Sequence, residues 1–120
     1  MASLNTFGAI LTHAINLETA LRDYYQRIGK ADRAKAADKR RQTMERIRRE
    51  TVLEITLEPI DGLDEADYVL DLSDSSEAAQ QAVEESAARF YRDVAPKINV
   101  RQAQRALERA GKEHQELANS

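Results

Sequence analysis

Leu4, Phe7, Leu11, Ala14, Glu18, Leu21, Tyr25 and Ile28 follow one another at intervals of three or four residues, the spacing that places side chains on one face of an α-helix. One member of that stripe is a carboxylic acid. The chain repeats the arrangement, because Glu84 precedes Phe90 and Tyr91 by the same intervals at which Glu18 precedes Tyr24 and Tyr25. An ionised carboxylate facing an apolar interior loses several kcal/mol of hydration, so each acid has to be paired, protonated or bound to metal. The sequence therefore predicts amphipathic helices whose apolar faces carry two acids at matching places.

Composition supports an all-α chain. It has 120 residues, two prolines, four glycines and an abundance of Ala, Glu, Arg and Gln. A single domain of that size buries roughly two thirds of its unfolded surface, enough for a core without metal or disulfide staples. There are no cysteines, which excludes disulfides, thiolate metal sites and cysteine nucleophiles. No apolar run approaches the ~20 residues of a membrane span, and Met1 to Leu11 lacks the basic start and apolar stretch of a signal peptide. A soluble cytoplasmic protein without a membrane partner is expected.

The helices are expected at about 4–28, 31–58, 75–95 and 100–117, in a single domain spanning 1–120. Ser3 or Asn5 can cap the first, and Gly29 suits the left-handed position after it. Pro59 stops the second. Thr51, Leu53, Ile55 and Leu57 also alternate as in a short strand, but Met44, Ile47, Thr51 and Glu54 keep helical spacing through the same stretch. Residues 59–73 form a long connection in which Tyr68, Val69 and Leu70 pack down. Asp74 with Glu77, and Asn99 with Gln102, are spaced as capping boxes for the third and fourth helices. The last carries the stripe Val100, Ala103, Leu107, Ala110, His114, Leu117. Short, long, short connections predict a four-helix bundle of two hairpins joined by a long central crossover. Met44–Thr51 also aligns without gaps on Leu107–His114, with similar residues at most places, which points to an internal duplication.

The stretches NLETALRDYY around Glu18, VEESAARFY around Glu84 and ERAGKEHQEL near the end, with the central crossover, resemble the ferritin-like superfamily and, within it, the small rubrerythrin-like bundles. The resemblance implies that the first and third helices each supply a glutamate, and the second and fourth a glutamate with a histidine three residues on. Together these would hold two iron or manganese ions that react with oxygen or peroxide. Carried over, Glu18 and Glu84 match the first and third ligands, and Glu50, Glu113 and His114 are the candidates for the rest. The Glu/His motif is incomplete in both halves, because Glu50 is followed at the third place by Leu53 and Glu113 by Glu116.

Three arrangements of the acids remain open from sequence: a metal taking Glu18, Glu84 and some of Glu50, Glu54, Glu113 and His114; a metal-free network with Arg48 or His114 between the acids; or glutamates reaching out to the edge. His13 lies off the main stripe and is expected at the surface. No glycine-rich phosphate loop and no activated serine is present.

Charge is segregated along the chain. From Lys30 to Arg49 there are nine basic and three acidic residues, whereas Glu50 to Glu85 holds twelve acids and no lysine or arginine. No nucleic-acid motif accompanies the basic stretch, so neutralisation by the acidic connection or by a neighbouring subunit is favoured over nucleic acid. A homodimer or a protein partner follows. The leading expectation is a helical binding or assembly module with a degenerate carboxylate site that requires no cofactor, the alternative being a carboxylate-bridged di-iron or di-manganese protein.

Overall fold

The computed structural model describes residues 4, 6–51 and 62–120, and among these the chain is all-α, with four α-helices and no strand. Helix α1 spans Phe7–Arg27, α2 Ala31–Glu50, α3 Glu77–Val94 and α4 Arg101–Ala118. Two compact units are formed: α1 with α2, and the stretch from Gly62 to Ser120 containing α3 and α4.

In the first unit, α1 starts where the Thr6 hydroxyl accepts the Ala9 N–H at 3.0 Å, satisfying a donor that the first turn leaves without a partner. Ser3 and Asn5, the expected caps, lie outside the described residues. At the other end Gly29 has φ +79°, and the N–H groups of Gly29 and Lys30 bond back to the carbonyls of Gln26 and Tyr25. This is the closing turn that a left-handed residue permits. It reverses the chain into α2, whose inner face reads Ala34, Ala37, Arg40, Met44, Ile47. The stripe predicted for α1 is buried from Leu4 through Tyr25 and extends to Ile10, Leu17 and Tyr24, while Ile28 is half-buried. His13 is half-buried, not at the surface as expected. Helix α2 closes at Glu50, with Thr51 as its C-cap, and the rest of the stretch expected to continue it to 58 lies outside the described residues.

In the second unit a short 3-10 turn, Glu65–Tyr68, is capped by the Asp64 side chain. It delivers Tyr68 to the interior, where its hydroxyl donates to Asp93 Oδ2 at 2.8 Å. Val69 does not pack down with it, being 73% exposed, and Leu70 is half-buried. The cap of α3 is Ser76, which accepts the Ala79 N–H at 3.1 Å, whereas Asp74 accepts from the backbone and hydroxyl of Ser76. The expected start at Asp74 thus falls two residues early, because Asp74 holds the capping serine in place. Pro96 lies in the 3-10 turn Ala95–Lys97 that extends α3. Helix α4 begins after Val100 without a side-chain cap, so Asn99 does not close the expected capping box. Ala103, Leu107, Ala110, His114 and Ala118 are its buried face. Gln81 of α3 donates to the Ala118 carbonyl at 3.0 Å, tying the far ends of this hairpin together.

Candidate functional site

Each hairpin buries one glutamate. Glu18 is fully buried on α1, and Arg40 of α2, only 6% exposed, donates Nε–H to its Oε1 at 2.9 Å. Glu18 and Arg40 are each eleven residues from Gly29, so the tight turn at that glycine sets the two at the same level of an antiparallel pair. The neighbouring Ala34 and Ala37 on the inner face of α2 are small. Around the turn, Arg22 of α1 donates to Asp38 at 3.0 Å, and Arg41 donates to the same carboxylate at 2.9 Å. The Arg22 guanidinium first, then Arg41, holds the Asp38 carboxyl below the usual carboxylate range.

In the other hairpin, Glu84 and His114 are both fully buried. His114 Nδ1 lies in close contact with Glu84 Oε2; a carboxylate only accepts, so the imidazole N–H donates and the contact fixes the ring's orientation. The Tyr91 ring stacks on the imidazole with an interplanar angle of 7° and 5.6 Å between centroids. Phe90 meets Tyr91 edge-on at 5.0 Å, as Tyr24 meets Tyr25 at 5.2 Å in the first hairpin. Tyr91 therefore anchors the histidine as well as filling core.

The helices of this second hairpin approach closely at Gly111. A Cβ there would lie 2.9 Å from Tyr91 Cβ, which accounts for a glycine in mid-helix despite its poor propensity. Alongside runs a groove of about 310 Å³ lined by Ala88, Tyr91, Pro96 and Gly111, with Arg92 and Lys112 among its charged residues.

Of the five residues predicted as metal ligands, only Glu84 and His114 are brought together within one hairpin. Glu18 is paired with a guanidinium, Glu50 is exposed at the last residue of α2, and Glu113 is half-buried beside His114 in sequence. Among the described residues no group of three or more acids and histidines is gathered as a metal would require. Arg48, proposed from sequence as the cation between the acids, is exposed. Glu18 is paired instead with Arg40 of its own hairpin, which sequence reasoning missed.

Arg40 had one usable signal: it falls in phase with Ala37, Met44 and Ile47. The gapless alignment of the halves concealed it. Met44, Ile47 and Thr51 are buried as are Leu107, Ala110 and His114, so the alignment matches buried faces. It does not match the partners of the acids, because the aligned counterpart of His114 is Thr51, about three turns beyond Arg40.

What this arrangement does chemically is balance charge. Both pairs are removed from solvent. Comparison with known protein families, curated proteins and solved structures finds no match to this chain.

Proposed function

We propose that the chain is a metal-free helical binding and assembly module of ferritin-like, rubrerythrin-related topology, working in the cytoplasm as a homodimer. One observation supports the metal-free reading above the others: each inward acid already has a basic partner from its own hairpin, Arg40 for Glu18 and His114 for Glu84. A di-metal centre needs glutamates free to bridge cations, and an arginine in hydrogen-bond contact with one of them opposes any cation there. The bond from Arg40 to Glu18 therefore favours the metal-free reading over a di-iron or di-manganese site. Ion pairs left in place of ligands suit a scaffold whose work is done by its surfaces.

A second reading rests on Glu84 and His114, an acid and an imidazole of the kinds that iron and manganese accept. It requires Glu18 to leave Arg40 and the ring nitrogen of His114 other than Nδ1 to act as ligand. Elemental analysis of protein purified without chelator separates the two. Iron, manganese and zinc well below one equivalent per chain are expected. Near-stoichiometric metal that is lost in the Glu18→Ala, Glu84→Ala double variant would replace the scaffold reading with the di-metal one.

A further inference from the structure

The outer face of α2 carries a row of exposed cations. Lys35, Lys39, Gln42, Arg46 and Arg49 follow at alternating intervals of four and three residues, so they share one face, and all five are exposed. Over this length the helix rises roughly 21 Å. None of the four cations has an ion pair or side-chain hydrogen bond among the described residues. Two acids of α2 are engaged elsewhere: Asp38 is held by Arg22 and Arg41, and Glu45 by Arg41 at 2.7 Å. No large hydrophobic side chain is exposed on this helix. A face of this kind recognises a run of negative charge, not an apolar ligand.

The chain itself contains such a run. Asp67, Asp71 and Glu77 are exposed on the stretch leading into α3, where neither lysine nor arginine occurs between Glu50 and Ala88. Val69, in the middle of it, is the large hydrophobic residue left most open among the described residues, at 73% exposure. The aliphatic stems of Lys35 and Lys39 can cover a side chain of that size while their ammonium groups meet the flanking acids. We propose that the α2 stripe docks the 67–77 acidic stretch of a second copy of this chain, which names the surface used by the assembly module proposed above and rests on that reading. A nucleic acid offers the stripe comparable charge, but it would have to approach a chain whose net charge is −3, and it leaves Val69 uncovered.

The test is sedimentation of the full chain at low and high salt with two charge-reversed variants. One carries Lys35→Glu, Lys39→Glu, Arg46→Glu and Arg49→Glu; the other carries Asp67→Lys, Asp71→Lys and Glu77→Lys. The wild type should associate at about 0.05 M salt and dissociate toward 1 M as the charges are screened. Each variant alone should associate at least about tenfold more weakly. An equimolar mixture of the two should associate again, because each reversed surface then meets its complement.

A wild type that stays monomeric at low salt overturns the proposal, and if it binds duplex DNA under those conditions the stripe is a phosphate-binding face instead. Failure of the mixture to associate also overturns it, since the stripe and stretch would then neutralise each other within one chain. A dimer that survives both reversals overturns this surface while leaving the assembly reading intact, and metal content decides the metal-free reading separately. Should a reversed variant lose its helical circular dichroism, the glutamine replacements at the same positions remove the charge without adding the opposite one and must weaken association in the same order.

Discussion

In the α1/α2 hairpin the buried acid meets a guanidinium, which does not give up its proton in a protein; in the α3/α4 hairpin it meets an imidazole, which does. The surroundings are otherwise alike: each acid lies six and seven residues before two adjacent aromatics that pack edge to face. The difference teaches that one kind of sequence position can be satisfied by two chemistries. Glu18 and Arg40 form an obligatory ion pair. At the Glu84–His114 contact a neutral imidazole can donate its N–H as well as a charged one, so the hydrogen bond does not depend on a full ion pair.

The largest expected effect breaks that comparison directly. Arg40→Met strips the countercharge from a fully buried carboxylate and should lower stability at pH 7 by about 3–5 kcal/mol, whereas His114→Phe, which removes a hydrogen-bond partner, should cost about 1–3 kcal/mol. Urea unfolding followed by circular dichroism measures both. Adding Glu18→Leu to Arg40→Met should recover most of the loss, since apolar replacement of both members of a buried pair is often neutral. Equal losses for the two single variants would mean that both hairpins depend on separated charge.

The glycines sharpen the contrast between the hairpins. Gly111→Ala places a Cβ against a backbone-anchored Cβ of Tyr91 at 2.9 Å, so α3 and α4 must part. A net loss of about 1–2 kcal/mol is expected after the gain in helix propensity. Gly8→Ala in α1 meets nothing within 4 Å and should stabilise by a few tenths to about 1 kcal/mol. Thermal melts of the two variants should shift in opposite directions. A neutral Gly111→Ala would show that the helix crossing yields more readily than close packing suggests.

The sequence carried the helical faces well and their ends poorly. Burial follows the three-and-four spacing of α1 from Leu4 to Tyr25, because an apolar stripe has only one way to leave water. Caps are less legible: Ser3, Asn5 and Thr6 are all competent before α1, as are Asp74 and Ser76 before α3, and the choice depends on where the apolar face docks. Gly29 was readable, since a left-handed residue after an apolar stripe has few substitutes. Arg40 was hidden for a different reason. It stands in the run Asp38-Lys39-Arg40-Arg41, which looks like a solvated face, and only its phase and its distance from Gly29 distinguish it. His114 and Glu84 were both singled out from sequence, but the partner of Glu18 had to come from geometry.

The smallest expected effect concerns a contact that only the second unit has. Tyr68 sits against Phe90, with ring centroids 5.4 Å apart, and its hydroxyl donates to Asp93. Burial first, then the bond to Asp93, pushes the phenol up to about 12 from its usual value of 10.0, while the nearby Arg89 works against the shift. The folded chain therefore keeps this proton at pH values where the unfolded chain has lost it. The contribution is fully present below about pH 10 and declines as pH rises from there toward 12, because over that window the unfolded state binds fewer protons. Spectrophotometric titration of phenolate absorbance should show one tyrosine ionising near pH 12 that disappears in Tyr68→Phe, and the variant should lose less stability than the wild type between pH 10 and 12. If the wild type and Tyr68→Phe instead weaken in parallel over that range, the Asp93 contact does not hold Tyr68 in its protonated form, and the loss of stability belongs to groups shared by both proteins.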